Sequence, residues 1–150
     1  MRLSASEKAA VLSIVGKIES QGGALGSEAL TRALGLFLSS PKIRNYFTHF
    51  DLTPGSADLN KHGGQIINVL AGAANNLDDL VVDLSSLSDL HVCCLLMEPQ
   101  NFSLLSPVIL EVLANRFPDD FTPEVQVAWK KFLFQVCAFL ASKAVYSHSA

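Results

Sequence analysis

Charge is scarce in this sequence. Only 17% of its 150 residues are Asp, Glu, Lys or Arg, and 11 basic against 14 acidic side chains leave a net charge of −3. No basic block could track a phosphate backbone, so nucleic acid is excluded as a partner. Long apolar runs are missing too: none reaches the ~18 residues that a membrane-spanning helix requires. Met1-Arg2-Leu3-Ser4 opens no continuous apolar stretch of the signal-peptide kind. No membrane role and a cytoplasmic location are therefore expected. Cysteine is limited to Cys93, Cys94 and Cys137, with no zinc-ligand spacing to another Cys or to a His. That excludes a disulfide framework and a structural zinc site, and vicinal Cys93 and Cys94 read as reduced packing residues rather than a redox pair. Alternating strand-type patterns are nearly absent. What is present is apolar side chain, 49% of the total, too much for disorder. A chain of 150 residues is one domain's worth, spanning 1–150, and buries roughly two-thirds of the surface its unfolded form exposes. So little charge on so apolar a chain implies that part of its surface meets a partner.

Gly and Pro divide the sequence into segments whose apolar spacing is helical. Ser4-x-x-Glu7 is a capping box that opens a helix with apolar positions at Val11, Ile14, Val15 and Ile18, ended by Gly22-Gly23. A second helix is predicted over about 27–39, and Pro41 starts a short third. Residues 51–56 read as a loop closed by a Ser56 cap, after which a long helix continues to about Ala74. A short helix over roughly 84–93 follows. Pro99 opens a long one ending near Phe117-Pro118, and Thr122-Pro123-Glu124 caps a last helix to about Lys143. The reading is one all-α domain of six to seven helices.

Two of the four histidines stand on apolar faces. His62 shares its face with Leu59, Ile66, Leu70 and Ala73, and His91 shares one with Leu84, Leu87, Cys94 and Leu95, all at helical spacing. Each alone is accounted for as a core histidine satisfied by a backbone carbonyl. The pair admits a second reading. Two His without a carboxylate or thiolate are too few for structural zinc. A haem iron brings its own four equatorial nitrogens and needs one protein ligand, leaving the second His for the opposite face.

Five segments carry a resemblance. Tyr46-Phe47-Thr48-His49-Phe50-Asp51-Leu52, Lys61-His62-Gly63, Leu87-Ser88-Asp89-Leu90-His91, Pro99-Gln100-Asn101-Phe102 and Asp120-Phe121-Thr122-Pro123 resemble, in order and over almost the whole sequence, the vertebrate α-type haemoglobin chains. The resemblance implies a globin fold with its helices around a haem pocket, haem b as cofactor, and reversible O2 binding and transport. It also implies β-type globin chains as partners in a hetero-tetramer, the red-cell cytosol as location, and no enzymatic role. The alternative function in the same chemistry is a haem redox enzyme of peroxidase, nitrite reductase or NO dioxygenase type, or a haem sensor. Against the enzyme stand the absence of an extra acid–base pair beside His62 and of a reductase domain.

By the same resemblance His91 is the proximal iron ligand, its other ring N–H held by a backbone carbonyl or a nearby Ser. His62 is the distal residue, donating a hydrogen bond to dioxygen. Phe47 stacks on the porphyrin, His49 stands at a propionate edge and Tyr46 at the neighbouring subunit. Ile66, Leu70, Leu87, Leu90, Leu95, Met97, Phe102, Leu105 and Leu140 line the pocket, and Asn101 belongs to the haem-binding set. Such a lining excludes water and protons and so slows oxidation of ferrous haem.

The sequence departs from the family pattern at several points. Ala33-Leu34-Gly35 is an insertion directly after Arg32. Three residues turn a helix by about 300°, leaving a register error of about 60° to be absorbed by a bulge or by repacking. Were the segment foreign, deleting it should raise stability, since a mid-helix Gly costs about 1 kcal/mol. After Lys143 the family's Tyr-Arg gives way to Ala144-Val145-Tyr146-Ser147-His148-Ser149-Ala150. Leu96 stands for Arg, Pro107 for His, Val15 for Trp, Lys130 for Asp and Gln65 for Lys. Pro41, Arg44, Glu98, Pro99, Asn101, Phe121 and Pro123 keep the interface pattern. The expectation is assembly with weakened quaternary switching.

Overall fold

In the computed structural model, residues 3–37, 51, 53–78 and 99–149 are described. They form six helices and no strand: α1 (Ala5–Leu12), α2 (Val15–Ser20), α3 (Gly22–Phe37), α4 (Ala57–Ala74), α5 (Pro99–Arg116) and α6 (Pro123–Ser149). The helices expected after Pro41 and over 84–93, and with them Cys93 and Cys94, lie outside the described residues.

Side-chain caps fix the starts that the sequence predicts. Ser4 Oγ accepts the Glu7 N–H at 3.2 Å while Glu7 Oε1 accepts the Ser4 N–H at 2.8 Å, closing the capping box. Gly55, at φ 80°, makes the turn before α4, and Ser56 Oγ then accepts the Leu59 N–H at 3.2 Å. Thr122 Oγ1 does the same for the Val125 N–H at 3.3 Å, each cap satisfying a donor the first turn leaves open.

Three boundaries differ from the sequence reading. The predicted first helix breaks into α1 and α2 at Ser13-Ile14. Ser13 Oγ donates to the Ala10 carbonyl at 2.6 Å, its N–H is shared between the Ala9 and Ala10 carbonyls, and Ile14 sits at φ −114°, ψ 1°. Back-bonding of this kind bends helices. It leaves the Val11 carbonyl in the last turn of α1, where it accepts the indole N–H of Trp129 from α6 at 3.2 Å. Trp129 is buried, edge-on to Phe132 at 5.1 Å. The chain's only Trp thus packs in from α6.

Gly22-Gly23 do not end a helix but begin α3. Across the core, α3 then meets α4. A Cβ on Gly26 would fall 2.2 Å from the Gly63 carbonyl, and one on Gly63 would fall 2.3 Å from the Gly26 carbonyl carbon, so the backbones of α3 and α4 touch. Nor does Ala33-Leu34-Gly35 produce a bulge: α3 runs unbroken through it, and Ala33 is fully buried. Were the segment the insertion that the resemblance implies, its register error would have to be met by repacking rather than by a bulge. Deletion of the three residues is now expected to lower the melting temperature. It would put Leu36 in the fully buried place of Ala33, an overpacking of about 1–3 kcal/mol that outweighs the relief of removing Gly35. Thermal unfolding followed by circular dichroism checks this. Finally, α6 continues past the predicted stop at Lys143 to Ser149.

Leu25, Leu30, Leu59, Leu70, Phe102, Val112, Leu113 and Phe132 are the fully buried centre of one core. Around it α3 packs against α4 and α5, α5 against α6, and α1 against α6. Lys131 of α6 ties α1 down through Glu7. Its hydrogen bond, with the Ser4 N–H, lowers the Glu7 pKa to about 2 from an ordinary 4.5. A depressed carboxylate pKa stabilises the fold above the unfolded value, and that contribution fades as pH falls from 4.5 through about 2. Glu7→Gln is accordingly expected to be less stable than the parent at neutral pH, with the difference closing by pH 2 in an acid titration.

Candidate functional site

The Ser56 cap sets the phase of α4, and with it the residues that turn inward. Leu59, His62, Ile66, Leu70 and Ala73 are all at most 2% exposed, so the apolar face predicted around His62 is present. Gly63, next in sequence, is pinned by its backbone contact with Gly26 of α3, which holds His62 at a fixed depth. Sequence reading missed Gly26, because its reason for being Gly is a residue of another helix.

Burial pushes the His62 pKa below its ordinary value; Asp58 pulls it up and Lys61 pushes it further down, both more weakly. Burial thus favours the neutral form of the imidazole. Around it the setting is apolar. Ile66 of α4 and Leu105 of α5, two of the predicted pocket residues, meet at a cavity of about 10 Å³ that Leu30 and Ile109 also line. Phe102 is fully buried one turn from Ser106, whose hydroxyl bonds back to the Phe102 carbonyl at 2.9 Å. Asn101 is buried as well. Gln65, one turn after His62, keeps its amide oxygen buried without a partner. An uncharged amide tolerates that position where the ammonium of a Lys would have to reach water.

Of the predicted site residues the structure therefore places His62, Ile66, Asn101, Phe102 and Leu105 in the interior. Phe47, His49, Leu87, Leu90, His91, Leu95 and Met97 lie outside the described residues, and for Leu140 only the α6 backbone is described. A buried imidazole on an apolar helix face is compatible in chemistry with a flat apolar cofactor that brings most of its own metal ligands, although the cavity at Ile66 and Leu105 is far smaller than such a group. Among the described residues no helix is long and apolar enough to cross a membrane. Cys137 is partly buried, and burial raises its thiol pKa.

Comparison with known proteins agrees with this chemistry. A family model described as Globin matches residues 28–140. Haemoglobin subunit alpha-3 of Aquarana catesbeiana is 70% identical over 141 residues, covering 94% of this chain and 98% of the relative. The haemoglobin larval subunit alpha of Pleurodeles waltl is 52% identical over 143 residues, 95% and 99% of the two chains. Haemoglobin subunit zeta of Homo sapiens is 44% identical over the same coverage. With the family match running from α3 into α6 through His62 and these relatives aligned nearly end to end, the chain belongs to the globin family.

Proposed function

We propose that this chain binds haem b and carries O2 reversibly as the α-type subunit of a haemoglobin, assembled with β-type chains in the red-cell cytosol. The observation that carries the reading is His62, a buried imidazole on the inner face of α4, in a chain aligned over nearly its whole length with haemoglobin α-type subunits. Haem b supplies, when bound, an iron whose porphyrin nitrogens fill four positions, so that one protein ligand suffices.

His91 is assigned as that ligand, and a backbone carbonyl or Ser accepting from its other ring nitrogen would fix its tautomer. His62 donates its ring N–H to dioxygen and so favours O2 over a ligand with no charge to stabilise. Ile66, Phe102 and Leu105, all buried, exclude water from the same space, as do Leu87, Leu90, Leu95, Met97 and Leu140 in this reading. Phe47 stacks on the ring, His49 stands at its edge, and Asn101 belongs to the same set. A carrier rather than an enzyme is supported by the names of the relatives, which are haemoglobin subunits.

The test is spectroscopic. Purified chain reconstituted with haem should hold it through gel filtration, show a Soret band, and shift that band reversibly between O2 and N2. A chain that elutes without the band would refute the reading.

A further inference from the structure

A groove of about 670 Å³ lies between one face of α3, the turn before α4 and the C-terminal end of α5, with Ser27, Glu28, Arg32, Gly55, Asn60 and Arg116 in its walls. Small-molecule sites have about this volume, roughly 300–1,000 Å³. Its charged groups are paired but under-satisfied. Arg116 reaches Gln21 Oε1 at 3.3 Å, Glu28 Oε1 at 3.4 Å and the Ala24 carbonyl at 3.5 Å, all longer than the roughly 2.7–3.2 Å of an ordinary N–H···O bond. Its Nε has no hydrogen-bond partner. Glu28 Oε2 has none either and stands 3.7 Å from Arg32 Nε. Arg32 is engaged on its other side, by Glu111 at 2.7 Å. One donor and one acceptor of opposite charge are left beside the groove, each costing free energy until it is met.

We propose that this groove binds a small zwitterion, a free α-amino acid with an uncharged side chain, its carboxylate on Arg116 and its ammonium on Glu28. The charges select that class by elimination. A simple anion at Arg116 would stand beside the Glu28 carboxylate, a simple cation at Glu28 beside two guanidinium groups, and an apolar molecule would leave both open atoms unmet. A dipolar molecule meets both with charge-assisted hydrogen bonds. The Arg116 and Glu28 side chains are 28% and 31% exposed, so their rotation brings Nε and Oε2 into the groove without opening the core. Asn60 donates its amide N–H to the Gly55 carbonyl at 3.2 Å, which leaves its amide oxygen as a second acceptor for the ammonium. His62 is not in these walls, and the inference does not depend on the haem reading.

Titration of the full-length, 15N-labelled chain with L-serine tests it, followed through the side-chain Nε–H resonance of Arg116 and the backbone amide of Glu28. The expected result is saturable shifts with a Kd in the millimolar range, while acetate and ethylamine, each carrying one of the two charges, bind at least about tenfold more weakly. Glu28→Gln should raise the serine Kd at least about tenfold, and the charge exchange Glu28→Arg/Arg116→Glu should bind serine more tightly than Glu28→Gln does. Unchanged circular dichroism would show that each variant is folded. The proposal is overturned if serine gives no saturable shift up to about 100 mM, which would assign the groove to solvent alone. A Kd for acetate or ethylamine equal to that of serine, or one for serine that ignores Glu28→Gln, overturns it as well.

Discussion

Replacing His91 by Gly is expected to abolish stable haem retention, because in this assignment it removes the one bond between protein and iron. Apolar burial of the porphyrin would remain, so added imidazole should enter the vacated space and restore part of the Soret absorbance. His62→Leu should behave differently. It keeps the buried apolar face of α4 intact, with Leu beside Leu59, Ile66 and Leu70, and so keeps haem. What it loses is the hydrogen bond to dioxygen, charge-assisted and worth about 1.5–3 kcal/mol, which is roughly 10- to 150-fold in O2 dissociation rate. Faster autoxidation follows from the same loss. Gel filtration with absorbance at the Soret band, and stopped-flow O2 dissociation, separate the two roles. Normal haem retention in His91→Gly would sink the proximal assignment, and an unchanged dissociation rate in His62→Leu the distal one.

That contrast also shows what the sequence makes legible. The face of α4 could be read in advance because it depends on local facts: a Ser56 cap, helical spacing, and His62 among aliphatic neighbours. Pro99 and Thr122 marked the starts of α5 and α6 for similarly local reasons. Most of the misread points depend on tertiary context or on a side-chain bond that spacing does not reveal. Gly22-Gly23 carry the composition of a helix stop, yet α3 begins there, and its backbone approach to α4 is set by Gly26 against Gly63. Ser13 has a hydroxyl that any helix surface tolerates, and only its bond to Ala10 reveals the break that presents Val11 to Trp129. A periodic pattern likewise cannot say that an inserted Ala33 will be buried rather than bulged out. The residues assigned to haem illustrate a third case: they come from many segments, and only an ordered resemblance, not any one spacing, proposes them as one pocket.

In a tetramer with a β-type partner, O2 equilibrium curves are expected to show high affinity, a Hill coefficient well below that of a typical haemoglobin, and little alkaline Bohr effect. The deoxy quaternary state is selected only by contacts that it alone makes. By resemblance, one of these is the charge of an Arg shortly after Lys143, and residues 117–150 contain no Arg. The backbone there is also committed differently, since α6 stays helical to Ser149. By the same resemblance, Leu96 stands where the family has a second cation, at the contact where subunits slide. Neither loss touches the oxy state in the same way, so the balance moves in one direction. A shift of about 2–3 kcal/mol changes the quaternary equilibrium constant roughly 30- to 150-fold toward the high-affinity form. Restoring Arg at position 145 in a chain truncated after it, together with Leu96→Arg, should then recover part of the cooperativity and lower the affinity. Curves measured at two pH values on the parent tetramer decide the matter, and strongly sigmoidal, pH-dependent binding would show that other contacts hold its deoxy state.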